Sequence, residues 1–104
     1  MDRLQELRRR YAQSLPAKAA ELTVAWQGFR ADPAAGLAEL HQIVHRLAGS
    51  ASAYGFDELG AIAQRADGIF SEWLGLPPSL RASAETLAER LEPRVAELTA
   101  ALGA

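Results

Sequence analysis

His41 and His45 stand four residues apart, and the chain after His45 reads Arg-Leu-Ala-Gly-Ser-Ala-Ser-Ala-Tyr-Gly to residue 55. An imidazole with its ordinary pKa of about 6.5 is mostly neutral near pH 7, so one ring nitrogen keeps a lone pair for nucleophilic attack. Gly49 costs roughly 1 kcal/mol in a helix interior relative to alanine, so its position one turn after His45 predicts that a partner must come close to the backbone there. On a helix the neighbours of His45 are His41, Gln42, Ala48 and Gly49, with Ser52 one turn further. The nearly flat C-terminal side of this set predicts a docking surface around a reactive imidazole.

Other chemistries are poorly served. The chain has no cysteine, which removes disulfides, zinc-thiolate sites and thiol nucleophiles together. Ser50 and Ser52 lack the base and orienting acid of a serine hydrolase. His41 and His45 have the i, i+4 spacing of a metal-binding pair, but neither an HExxH glutamate nor an evident third ligand accompanies them, and no metal site is expected. With no Gly-rich nucleotide loop and no acidic metal cluster, the chain is expected neither to bind ATP nor to phosphorylate itself.

These residues must be positioned by a single small domain, since 104 residues support one core and not a second. Apolar residues make up 49% and charged residues 23%, the balance of a globular protein. A net charge of -2 gives no field for neutralising phosphates, so nucleic acid is excluded as a partner. The run Arg8-Arg9-Arg10, near Asp2 and Glu6, reads as a solvated helix face. No apolar run approaches the length of a membrane span and the first residues are charged, so a cytoplasmic domain without signal peptide or membrane contact is expected.

Every long segment has helical period, which predicts an all-α fold. Leu4, Leu7 and Tyr11 mark a short helix over 2–14, and Pro16 then opens a second one to about Phe29, with Leu22, Ala25, Trp26 and Phe29 inward. Asp32-Pro33 caps and starts a third helix bearing His45, with Leu37, Leu40, Val44 and Leu47 buried, and Tyr54-Gly55 stops it. Leu59, Ile62, Ala63, Ala66, Ile69, Phe70 and Trp73 form the next stripe, broken at Gly75-Leu76-Pro77-Pro78. A last helix is expected from about Ser79, with Leu80, Ala84, Leu87, Leu91, Val95, Leu98 and Leu102 on one seam and a kink at Pro93. The architecture predicted is an antiparallel up-and-down four-helix bundle with a short extra N-terminal helix.

The hairpin around Gly55 brings a second set of polar residues level with His45. Gln64 and Asp67 are the candidates on the facing helix, and Gly60, Gln64 and Gly68 at helical spacing are expected to extend the smooth surface.

The pattern His45-x-Leu47-x-Gly49-Ser50, then Gly55 and Leu59, resembles the signature of histidine-containing phosphotransfer (HPt) domains, the phosphorelay modules of bacterial two-component systems. The resemblance implies a carrier and not an enzyme: a receiver domain's phospho-aspartate donates to a ring nitrogen of His45, and a second receiver's aspartate removes the group. It further implies that Mg²⁺ is supplied by the receiver and that this chain binds no cofactor. Its expected partners are response-regulator receivers and a hybrid histidine kinase, met as a monomer. By the same resemblance Asp67 accepts a hydrogen bond from one ring nitrogen and leaves the other nucleophilic, with Gln64 as the alternative contact. Many members carry a lysine three residues after the histidine; here Ala48 stands there, with Arg46 and Arg65 the nearest substitutes. The family also includes N-terminal modules of chemotaxis kinases, but a start at methionine and an end close to the bundle favour a stand-alone carrier. A helical interaction module that binds through the flat surface without phosphorylation is the competing expectation.

Overall fold

A computed structural model describes residues 2–103. Its long elements are four α-helices: α1 (Arg3–Ala31), α2 (Pro33–Ala53), α3 (Asp57–Gly75) and α4 (Ala84–Ala101), with one 3-10 turn at Pro78–Leu80 before α4. No strand occurs among the described residues.

The extra N-terminal helix is the main correction. Residues 3–31 form one helix that passes through Pro16. The physical reason lies in the stripe: Tyr11, Ala19, Leu22, Ala25 and Phe29 are all buried, so the apolar positions stay in helical phase across the proline. Pro16 itself is exposed, which leaves the carbonyl it cannot serve open to water. Tyr11 anchors the first half of α1 to the far end of α2. Its ring stacks on Tyr54 at 4.8 Å between centroids and its hydroxyl lies 2.8 Å from Ser50 Oγ.

Asp32 alone joins α1 to α2 and serves both. Its N–H donates to Gly28 O, closing α1, while its carboxylate accepts from Ala35 N–H at 3.3 Å, opening α2 ahead of Pro33. The corner is so tight that a Cβ on Gly36 would come within 2.6 Å of Phe29 N, a contact only glycine avoids. At the other end of α2, Gly55 adopts φ +86°. Its N–H reaches Ser52 O at 3.0 Å and that of Phe56 reaches Ala51 O at 2.9 Å, the paired bonds of a glycine helix stop.

The last helix begins later than the periodicity predicts. Ser83 caps it by accepting from Thr86 N–H, and Leu80 is 67% exposed and outside the seam. Residues 76–83 are instead held as a loop against the end of α3: Arg81 donates to the carbonyls of Leu74 and Leu76, and Trp73 Nε1–H donates to Ala82 O. α4 continues through Pro93, as the in-phase stripe predicts.

One core runs between the helices. Phe29, Leu22, Leu40, Val44, Phe70, Leu87, Leu91 and Leu98 are essentially inaccessible, and no polar side chain is buried among the described residues. The most extensive packing joins α2 to α3, the two helices that carry the candidate site.

Candidate functional site

His45 projects from the middle of α2 beside the buried Val44, so its backbone is fixed by the core while its side chain is 71% exposed. Asp67 reaches it from α3. The ring nitrogen Nδ1 of His45 lies 3.1 Å from Asp67 Oδ2, and Nε2 of His41 lies 3.1 Å from Asp67 Oδ1. A carboxylate oxygen accepts and does not donate, so each imidazole presents an N–H to Asp67. For His45 this places the proton of the neutral ring on Nδ1 and the lone pair on Nε2.

His41 is the better-anchored ring. It is 28% exposed and stacks on the buried Phe70 at 4.8 Å between centroids with 25° between planes. Asp67, 19% exposed, is thus pinned by a ring that the core itself orients. The periodicity made Asp67 a candidate partner of His45 and made His41 a flank of the surface. It did not reveal the bond between His41 and Asp67. The signal was present in the i, i+4 spacing of the two histidines, which puts both on the face that Asp67 approaches.

The other expected residues fall into three groups. Gln42, Gly49, Ser52 and Gly68 are exposed and Ala48 is partly so, and a Cβ at Gly49 or Gly68 would meet nothing within 4 Å. Gln64 is exposed, and its side chain bonds to neither ring among the described residues. Gly60 departs from the expectation of a surface residue: it is buried, and a Cβ there would lie 2.1 Å from Ser52 Oγ and 3.2 Å from Ser52 N. It permits the close crossing of α2 and α3 and contributes no exposed surface. Arg46 lines a groove between α1 and α2 with Tyr11 and Lys18, and Arg65 pairs with Glu97 of α4 at 3.6 Å. Neither arginine takes the place of the lysine that Ala48 replaces, and no lysine or arginine pairs with Asp67 among the described residues.

An exposed histidine on the second helix of an all-helical domain thus has its inner nitrogen held by an acid from the third, with the outer nitrogen left free. The Hpt domain family model matches residues 6–104. The chain belongs to the Hpt domain family. Membership gives the coarse role, a phosphotransfer carrier of phosphorelays. Hpt domains are phosphocarriers and not enzymes, and they interact with receiver and kinase domains. No curated protein and no solved structure matches the chain. Among the described residues no helix is long and apolar enough to cross a membrane.

Proposed function

We propose that this Hpt domain carries the phosphoryl group on Nε2 of His45, taken from the phospho-aspartate of one receiver domain and passed to the aspartate of another. The observation that carries the reading is the bond from His45 Nδ1 to Asp67 at 3.1 Å on a side chain 71% exposed. With Nδ1 committed as a donor, the nitrogen left for attack is the one turned away from α3.

In the forward step the Nε2 lone pair forms a P–N bond as the P–O bond to the receiver's aspartate breaks, and the carboxylate leaves with the bonding pair. Asp67 stabilises the ring as positive charge develops on it. Mg²⁺ and the groups that balance phosphoryl charge come from the receiver. The reverse sequence unloads the group onto the next receiver. Gly49, Gly68, Gln42, Ala48 and Ser52 form the face on which a receiver's loops settle. Gln64 lies at its margin, and Arg46 meets a partner only from the α1 side.

The helices are read as an antiparallel up-and-down bundle, supported by contacts that pair residue 29 with 36, 11 with 50, 52 with 60 and 72 with 90. The domain is proposed to act as a cytoplasmic monomer.

The test mixes the full chain with a receiver charged by a small phosphodonor and Mg²⁺, and follows acid-labile phosphate on wild type and His45→Ala. Label on wild type alone supports the carrier role. No label on either, with receivers that do bind, replaces it with a phosphorylation-independent interaction module.

A further inference from the structure

His41, His45 and Asp67 offer one ligand atom each, and the three atoms lie within 4.8 Å of one another. The sequence shows only the histidine pair; the third donor arrives from α3 through the fold. We propose that this trio binds a borderline divalent cation of the Zn²⁺ type, and that the bound ion blocks phosphoryl acceptance at His45. The second half rests on the reading of His45 as the acceptor.

Three observations support the site. Its donors are two imidazole nitrogens and a carboxylate, the set that zinc uses when it keeps a coordination position open to water. The spacings approach what such an ion needs: a tetrahedral centre with bonds of about 2.0–2.1 Å holds its ligands roughly 3.3 Å apart, each nitrogen lies 3.1 Å from its own oxygen of Asp67, and with one Asp67 oxygen the three donors lie within 4.8 Å, so the exposed His45 ring closes onto the ion. One donor is also held in place before any ion arrives. The His41 ring lies flat against buried Phe70, and both histidines share one face of α2. Mg²⁺, which prefers oxygen ligands in an octahedron, has little use for this set, so the ion of the phosphotransfer reaction does not compete.

The block follows from proton placement. A neutral imidazole carries one proton, and in the metal-free site that proton is on Nδ1 of His45, donated to Asp67. An ion on Nδ1 takes that lone pair, and the proton moves through solvent to Nε2 with no change in the charge of the ring. Nε2 then has no free pair for phosphorus.

Isothermal titration of the full chain with Zn²⁺ reads the site, and phosphoryl acceptance by the zinc-loaded chain, freed of excess metal, reads the block. One Zn²⁺ per wild-type chain is expected, with binding at least about tenfold weaker in His41→Gln and in Asp67→Asn. Circular dichroism establishes that both variants are folded. Acceptance from a charged receiver should be lost on zinc loading and return with a zinc-selective chelator in excess Mg²⁺. Equal binding by folded His41→Gln and Asp67→Asn, or no binding by wild type, overturns the site. Stoichiometric binding that leaves acceptance intact overturns the block. If zinc binds as expected but the zinc-free chain accepts no phosphate, the carrier reading and the block fall together, while the metal site stands.

Discussion

Asp67 grips His45 from the neighbouring helix, its Oδ2 3.1 Å from Nδ1, and is itself held at Oδ1 by His41. The exposed ring therefore has its orientation set by a partly buried carboxylate that a core-packed ring holds in place.

Asp67→Asn should slow phosphoryl uptake without unfolding the domain. A hydrogen bond to a charged group contributes about 1.5–3 kcal/mol, which corresponds to roughly tenfold to a hundredfold in rate. Single-turnover uptake measures the rate, and ¹⁵N shifts of His45 should show the Nδ1–H tautomer losing its dominance. An unchanged rate with an unchanged tautomer would remove Asp67 from the site.

Two glycines expected on one smooth surface should behave oppositely. Gly49 faces open space, so Gly49→Ala should stabilise the domain by about 1 kcal/mol, the difference in helix propensity. A larger side chain, Gly49→Leu, should leave the fold intact and slow transfer from a receiver. Gly60→Ala forces a Cβ against Ser52 and should destabilise by about 1–3 kcal/mol, as other overpacked contacts do. Urea denaturation together with transfer rates distinguishes a glycine that partners need from one that the crossing needs.

Pro16 lies on the solvent side of a continuous α1. Pro16→Ala restores an N–H inside the helix at some gain in unfolded-chain entropy, and the net stabilisation should be about 2 kcal/mol. Two helices meeting at Pro16 would show no gain. Thermal or urea unfolding decides between them.

Glu6 accepts from Arg9 and Arg10, and these hydrogen bonds hold its carboxyl below the ordinary value of 4.5. A group whose folded pKa is depressed adds stability above its unfolded pKa and loses it as pH falls through the folded one. Glu6→Gln should therefore melt slightly below wild type near neutrality, and the two should converge in acid below the ordinary carboxyl range. The difference should shrink in high salt, as for any exposed pair. A gap that persists at acid pH would contradict the assignment.

Much of this was legible in the residues. Asp32-Pro33, Gly55 and the stripe from Leu59 to Trp73 specify α2, its stop and α3, because caps and periodicity are local signals. The failures have physical causes. Pro16 reads locally as a helix start, and only the burial of Tyr11 against Tyr54 and Phe56 shows why one helix crosses it. The late start of α4 depends on Arg81 donating back to Leu74 and Leu76 and on Trp73 of α3 donating to Ala82, contacts with no sequence period. At the site, spacing alone made Gln64 and Asp67 equal candidates. The packing of α2 on α3 chooses Asp67 and joins it to His41. Gly60 and Gly68 share a stripe on paper, yet only Gly60 meets the other helix.

The central claim is most directly tested by locating the phosphorus atom. The full chain, labelled with ¹⁵N in its histidines and phosphorylated by a charged receiver, should show one phosphohistidine by ³¹P and ¹⁵N correlation, with phosphorus on Nε2 of His45. Phosphorus on Nδ1 of His45, or on either nitrogen of His41, would contradict the account.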